Sequence, residues 1–293
     1  MIPVKEILLP RSIDEVCRLL HNNNGSSKII AGGTDILPGF HIESPRFKNI
    51  ERLIDINNVK ELKSVSVDND VISIGSAITF SEIISNQILN ENLPLLVKAS
   101  KTIGSTQIRN RATLGGNFIN NAPCADSVAP LLVYDAEIKI KSYNSEKVMK
   151  LQDFLVKPYG TRLNSDEVVT HIMIPLPSKK YVGDFYKLGR RRAVTISRIS
   201  LAYLIESVNG IINDLKIASG AVTPIGTRFY DVEQFAKGKI LNDDSIKEIA
   251  IKLGEQILDV SGIRWSSEYK IPVVQHVCYQ LFKEIERGSN LIK

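Results

Sequence analysis

Apolar residues recur at helical intervals in several stretches of the chain and predict helices there. The first stretch covers residues 10–20, where Ser12 followed by Glu15 is typical of a capped helix start. Other stretches with helical spacing occupy residues 81–89, 93–100, 244–260 and 272–287.

Short or alternating apolar runs predict strands between these helices. The runs occupy residues 28–31, 50–55, 65–67, 71–75, 136–141, 148–155, 168–174, 200–208, 211–219 and 221–222. Two hairpins are indicated, one at Asp68-Asn69-Asp70 and one at Asn209-Gly210. Helices and strands alternate as far as the proline-containing segment 175–180. Antiparallel strands and two helices follow, so we expect an α/β part and then an α+β part.

The overall composition is that of an ordinary globular protein. The 293 residues are 43% apolar and 24% charged, with a net charge of +5. The longest basic run is only Arg190-Arg191-Arg192, which does not predict a nucleic-acid partner. No apolar run is long enough to span a membrane, and the N-terminal segment lacks a signal-peptide core. We therefore expect a cytoplasmic protein.

The three cysteines (Cys17, Cys124 and Cys278) are far apart and form no CxxC motif. Such a set predicts neither a disulfide framework nor a metal site. It also cannot ligate an iron–sulfur cluster, which takes four protein ligands.

A strand that runs into paired glycines is the first candidate binding element, at KIIAGGTDI (residues 28–36). Glycines let a ligand approach the backbone, and successive exposed amides form an anion site. The Thr34 hydroxyl could add a donor. Considered alone, this segment is better explained as a tight strand-to-loop turn without any ligand, because a single glycine pair is common.

A second glycine pair follows at Thr113-Leu114-Gly115-Gly116-Asn117. Arg109 and Arg111 bring positive charge to it, and Asp126 could bind ribose hydroxyls or ring nitrogens. Two such turns could hold the two phosphates of one diphosphate, although neither matches the Rossmann fingerprint or a P-loop. Asp126 could instead cap a helix, and the arginines could form a surface salt-bridge pair.

These segments together resemble the FAD-binding medium subunits of the molybdenum hydroxylases, namely xanthine, nicotinate and carbon monoxide dehydrogenases. The resemblance is carried by AGGTD (31–35), IGSAITF (74–80), QIRNRATLGGN (107–117), ADSVAPLLVYDAEI (125–138), KLGRRRAVTIS (187–197) and SGIRWSSEYKIPVVQHV (261–277). It implies an α+β protein. A PCMH-type FAD-binding domain at 1–176, with subdomains at about 1–55 and 56–176, would precede a smaller α+β domain at 177–293.

The resemblance also implies the residues that contact FAD. One side of the diphosphate would be held by Ile29, Ile30, Ala31, Gly32, Gly33, Thr34, Asp35 and Ile36. The other side would be held by Thr113, Gly115, Gly116 and Asn117. The remaining contacts would be Asp126 at the nucleotide, Arg162 or Leu163 near the isoalloxazine ring, Lys187, and the pocket-lining Ile103 and Thr106.

One position departs from the family pattern. Many xanthine-type relatives carry an acidic residue shortly before the isoleucine that matches Ile196, whereas Val194-Thr195 stand there in this chain. That charge would lie near the flavin. The redox tuning of the flavin and its preferred electron acceptor are therefore left open.

The implied function is electron transfer in a multi-subunit molybdenum hydroxylase, most closely of the xanthine dehydrogenase type. Electrons would come from a small subunit with two [2Fe–2S] clusters, which serves a large molybdopterin subunit, and would leave through FAD to NAD(P)⁺. No side chain of this chain is expected to be catalytic, because the cofactor carries the chemistry. The alternatives are a nicotinate- or carbon monoxide-type complex, a self-contained PCMH-fold flavin reductase, and a scaffold subunit that has lost its flavin.

Overall fold

The computed structural model describes residues 4–22, 25–191 and 193–288. The third arginine of the basic run, Arg192, lies outside these residues. The helices are α1 Ile13–His21, α2 Ile36–His41, α3 Phe80–Ser85, α4 Gln87–Asn92, α5 Pro94–Lys101, α6 Thr106–Arg109, α7 Leu114–Asn120, α8 Val128–Val133, α9 Leu151–Phe154, α10 Tyr230–Ala236, α11 Asp243–Ser261 and α12 Ser267–Glu286. The strands are β1 Glu6–Leu8, β2 Ser27–Ile30, β3 Arg52–Asp55, β4 Val65–Asp68, β5 Val71–Gly75, β6 Glu137–Lys141, β7 Glu146–Lys150, β8 Leu155–Lys157, β9 Gly160–Thr161, β10 Val168–Pro175, β11 Val182–Gly189, β12 Ser197–Val208, β13 Ile211–Gly220 and β14 Thr227–Arg228.

Three main sheets organise the chain, and the predicted α+β class is confirmed. The first sheet is parallel, with strand order β1-β3-β2. The second is antiparallel, in the order β4-β5-β10-β6-β7, and the third is antiparallel, in the order β11-β12-β13-β14. Strands β8 and β9 form a separate small hairpin. None of the described helices is both long and apolar enough to cross a bilayer.

The largest hydrophobic core extends past the predicted boundary at residue 176. Helices α5 and α8 pack against β11 and β12, and Phe185 and Ala202 belong to the same buried cluster as Ile72 and Leu131. A second cluster lies on the other face of the third sheet, under α11 and α12. The division of the chain into 1–176 and 177–293 stays a prediction.

Several sequence predictions are confirmed at the level of single residues. The Ser12 hydroxyl accepts the Glu15 amide at the start of α1. Both hairpin turns have left-handed backbone, at Asn69 and Asp70 in one and at Asn209 and Gly210 in the other.

Other element predictions are wrong. The strand expected at 148–155 ends at Lys150, where α9 begins, and residues 221–222 lie in a loop. The helix expected at 81–89 is divided at Asn86, which caps α4 through its side chain. Helix α12 begins at Ser267 and contains Pro272, so this proline does not mark its start.

Candidate functional site

The first glycine turn connects β2 to α2 and presents backbone to its surroundings. Gly33 has a φ of 73°, a conformation that glycine adopts without strain. Ile29 and Ala31 pack on one core cluster, whereas Ile30 and Ile36 belong to another. The apolar side chains of this segment are therefore committed to packing, and a ligand here would meet the main chain and the short side chains of Thr34 and Asp35.

The second glycine pair lies in the first turn of α7, where the sequence had predicted a turn. The Thr113 side chain caps the helix by accepting the Gly116 amide at 3.1 Å. Gly115 is buried against Ser76, and a Cβ there would lie 2.6 Å from the Ser76 carbonyl oxygen. Gly116 is exposed, and a Cβ there would meet only the Thr113 hydroxyl, at 2.9 Å. The surface at Gly116 is open to a ligand.

The two glycine turns adjoin each other. A Cβ at Gly32 would lie 2.6 Å from the carbonyl carbon of Arg111 and 2.9 Å from Cα of Ala112, the residue before Thr113. The backbones on either side of this contact belong to segments about eighty positions apart in the chain.

Arg46 links the same two segments through its side chain. Its guanidinium binds the Asp35 carboxylate and donates to Oδ1 of Asn120, at the end of α7, at 3.0 Å. It lies 4.4 Å from the ring centre of Tyr159. Partial desolvation lowers the pKa of Lys28, and the Arg46 charge lowers it further, so two cations lie near the first turn. Sequence analysis missed Arg46, because nothing in the spacing of the segment around it indicates a site.

A cavity of about 720 Å³ lies beside the second turn. Its lining comprises Ile103, Gly104, Asn117, Cys124, Asp126, Lys187, Arg190, Arg191, Val194, Thr195, Ile196, Ser197 and Arg198. An adjoining cavity of about 820 Å³ is lined by Thr106 and Arg109 and shares Lys187, Arg190, Arg191, Val194 and Thr195 with the first. Neither lining includes residues 29–36.

Asp126 and Lys187 form a buried ion pair in the wall of the cavity. Lys187 also belongs to β11 of the third sheet. The charged atoms of the pair are 2.6 Å apart, and the two side chains are only 5% and 8% exposed. The Ser197 hydroxyl also donates to Asp126, and Lys187 donates to the Thr102 carbonyl at 3.0 Å. Burial raises the pKa of Asp126, an effect that Lys187 and Ser197 oppose.

The alternative role of Asp126 as a helix cap is not realised. Ser127 occupies the cap position of α8, and its hydroxyl donates to Oδ1 of Asn117 at 2.7 Å. This hydrogen bond joins α7, which contains the second glycine pair, to the segment that carries Asp126.

Cys124 connects the cavity electrostatically to the first turn. Burial raises the pKa of its thiol, Asp126 raises it further, and Asp35 adds a smaller contribution in the same direction. Asn117, in the helix that carries the second glycine pair, lines the cavity, and the first turn contacts the segment that leads into that helix. The two glycine turns and the cavity therefore adjoin one another.

The structure does not bring every predicted residue to the cavities. Arg162 is exposed and donates through Nε to the Asp153 carbonyl at 2.7 Å, whereas Leu163 packs against the largest core. Arg109 is not in a surface salt bridge with a carboxylate of the described chain, since its guanidinium donates to the carbonyls of Ile103 and Gly104 at 3.0 and 3.2 Å. The proposed contacts of Arg162 and Leu163 with a cofactor stay predictions.

The residues present fit a dinucleotide with a negatively charged diphosphate. The exposed backbone at Gly116, with Arg46 and Lys28 near the adjoining first turn, suits the phosphates, and the neighbouring cavity has the size of a typical ligand site. Within the described part of the chain, no cluster of three His, Cys, Asp or Glu side chains could hold a metal ion.

Comparisons with known proteins agree with this chemistry. Residues 3–177 match the family model described as the FAD binding domain in molybdopterin dehydrogenase, and residues 184–285 match the CO dehydrogenase flavoprotein C-terminal domain. The chain is 33% identical to the xanthine dehydrogenase FAD-binding subunit of Escherichia coli O157:H7, over 89% of each chain. It is 34% identical to the glyceraldehyde dehydrogenase medium chain of Sulfolobus acidocaldarius, over 94% of this chain and 95% of the relative.

A solved structure has the same fold. The carbon monoxide dehydrogenase of Hydrogenophaga pseudoflava, in a form that lacks the Mo-pyranopterin moiety of its cofactor, superposes with a TM-score of 0.86 at 25% identity. The match covers 97% of this chain and 96% of the other.

Proposed function

Because the chain belongs to the family of FAD-binding domains of molybdopterin dehydrogenases, we propose that it is the flavin subunit of a xanthine dehydrogenase-type complex. It is an oxidoreductase component that binds FAD. FAD, when bound, exchanges electrons singly or in pairs, which suits a carrier between iron–sulfur clusters and a nicotinamide acceptor.

The role of this chain is to bind and orient the cofactor. The observation that carries the proposal is the contact of Gly32 with the backbone of Arg111 and Ala112, which places the first glycine turn against the segment that leads into the second. We propose that residues 29–36 and 113–117 hold the diphosphate from its two sides. Asp126 and Lys187 then fix the flavin end from the cavity wall.

Electron transfer requires partner chains. Cys17 and Cys278 are buried and Cys124 is partly buried, all without a second cysteine nearby in sequence, so an iron–sulfur cluster must be held elsewhere. We propose a small subunit with two [2Fe–2S] clusters and a large molybdopterin subunit as partners, in the cytoplasm. NAD(P)⁺ would be the final acceptor. The substrate would bind to the large subunit.

Two kinds of alternative remain. A nicotinate- or carbon monoxide-type complex would use the same flavin site. The Val194-Thr195 pair, which replaces the acidic residue of many xanthine-type relatives, is compatible with a complex of either type. A self-contained flavin reductase would need a free acid beside its substrate. Asp126 is the only carboxylate in the described cavity lining, and it is paired with Lys187, which disfavours this alternative.

The test is the composition of the native complex purified through a tag on this chain. We expect a yellow preparation that releases FAD on denaturation, with iron and molybdenum in the same particle. Reduction of NAD⁺ should then be compared with xanthine, nicotinate and carbon monoxide as substrates. Release of FMN alone would refute the assignment of the two turns, and a colourless chain that takes up no FAD would indicate a scaffold.

A further inference from the structure

Positively charged side chains without a carboxylate partner gather at the mouth of the cavity. Within residues 4–22, 25–191 and 193–288, no ion pair involves Arg190, Arg191, Arg198, Arg264 or Lys270. The mouth therefore carries uncompensated positive charge, with Glu268 as the carboxylate in the neighbouring segment 263–270.

Large apolar side chains stand exposed among these cations. Trp265 is 88% exposed and Ile263 is 91% exposed, in the connection between α11 and α12. Ile196 and Val194, in the loop that lines the cavity, are 74% and 51% exposed. Adjacent exposed apolar residues of this kind mark interaction surfaces, and tryptophan and arginine are the residues most enriched at their centres.

The two segments form one surface. The Lys270 ammonium donates to the Ala221 carbonyl at 2.6 Å, and the Ala221 amide donates to the Pro123 carbonyl at 2.7 Å, next to Cys124. The Arg264 amide donates to the Ser267 hydroxyl at 2.8 Å, which ties the segment of Arg264 and Trp265 to the start of α12. Desolvation lowers the pKa of Lys270, and the charges of Arg198 and Arg264 lower it further. The start of α12 is thus continuous with the cavity mouth.

We propose that this basic–apolar face, formed by Arg191, Val194, Ile196, Arg198, Arg264 and Trp265, docks an acidic surface of the iron–sulfur subunit. The inference rests on the proposed function, since it requires that partner. Charge complementarity selects an acidic partner, and the exposed tryptophan selects a packed protein contact. The position beside the cavity brings a donor cluster close to the flavin end of the site.

The test uses the native complex and a variant that leaves the cavity lining unchanged. Arg264→Glu combined with Trp265→Ser reverses one charge and removes the aromatic anchor. The matched control is Lys237→Glu combined with Ile240→Ser, where Ile240 is 60% exposed. Ile240 bridges to Ile211 at the start of β13, which pairs with Val208, so the control lies at the end of β12 opposite Ser197, roughly 35 Å along the strand.

We expect the face variant to lose at least tenfold in affinity for the purified iron–sulfur chain of the same complex, with an unchanged FAD content. Its iron-to-FAD ratio after purification should fall, whereas the control should match the wild type. Association of the wild type should weaken as salt rises from 0.05 to about 0.5 M, because exposed charges are screened over roughly 10 Å at 0.1 M.

Three outcomes would overturn the proposal. Normal association of the face variant would place the docking surface elsewhere and leave the flavin-subunit function standing. A wild-type preparation with FAD but no iron–sulfur partner would remove both the docking face and the electron-transfer role. In the third outcome, both proteins retain the iron–sulfur chain, but only the wild type binds phosphatidylserine vesicles. That result would show that the face binds a membrane surface and not the iron–sulfur subunit.

Discussion

Gly32 packs directly against the backbone of Arg111, so the first glycine turn touches the segment that leads into the second. A Cβ at Gly32 would stand 2.6 Å from the Arg111 carbonyl carbon, closer than real Cβ contacts allow. The two glycine pairs thus contain both tightly packed and exposed glycines. Gly32 and Gly115 permit chain-to-chain packing, whereas Gly116 leaves open surface for a ligand.

Alanine at Gly116 should weaken FAD binding without harming the fold. The added Cβ would stand where we propose that the diphosphate approaches, and alanine is favoured over glycine in a helix by about 1 kcal/mol. We expect at least a tenfold rise in the Kd for FAD, measured by fluorescence titration of the stripped protein. The Tm of the flavin-free protein should change little, because the gain in helix propensity is opposed by the contact of the new Cβ with the capping Thr113 hydroxyl, at 2.9 Å. Gly32→Ala should instead lower that Tm, and equal effects of both variants on Tm would contradict the distinction.

Removal of Lys187 should destabilise the protein because it leaves a buried carboxylate unpaired. Lys187→Met should cost about 3 kcal/mol of unfolding free energy in urea, and adding Asp126→Asn should recover part of the loss. Lys5→Met is the control, since its pair with Glu51 is exposed and screened by water, and it should leave the unfolding free energy nearly unchanged. An equal cost for Lys187→Met and Lys5→Met would show that the buried pair is not a structural element.

Cys124 should report on occupancy of the cavity. Cys17 and Cys278 are only 2% and 0% exposed, so iodoacetamide should modify Cys124 first. Because only the thiolate reacts and the pKa of Cys124 is raised, the rate should increase with pH through a midpoint above the ordinary value of about 8.5.

Asp126→Asn should move that midpoint to lower pH, since the carboxylate is one cause of the raised pKa. Saturating FAD should slow the modification of the wild type. Peptide mass mapping of the labelled protein provides the measurement. Labelling of Cys124 at the same rate with and without FAD would show that FAD does not bind in this cavity.

Arg46 should contribute to cofactor binding through its link between Asp35 and Asn120. Arg46→Ala should raise the Kd for FAD about tenfold, because it frees both segments and removes a cation near the diphosphate. Arg46→Lys should not restore binding, since a lysine cannot make both contacts in one plane. Arg52→Ala, at an exposed pair with Glu6, is the matched control and should bind FAD like the wild type.

The sequence predicted the elements of the site better than their arrangement. Paired glycines after a strand and the acidic Asp126 are local patterns, and these residues do gather around one site. Arg46 and Ser197 carry no such pattern, because they reach Asp35 and Asp126 across 11 and 71 positions of the chain. The strand predicted at 148–155 failed for a related reason. The buried side chains of Leu151 and Phe154 satisfy a helical turn as well as a strand, and tertiary packing decides between them.

The buried Asp126–Lys187 pair has a consequence for dissection of the protein. Asp126 precedes the segment at 175–180 and Lys187 follows it, so a polypeptide cut there would divide the proposed flavin site between two fragments. Each fragment would expose its part of the largest hydrophobic core to water. Each would also keep one unpaired charge, Asp126 in the first fragment and Lys187 in the second. Cofactor uptake would then become a measure of reassembly, and neither piece would be a flavoprotein in isolation.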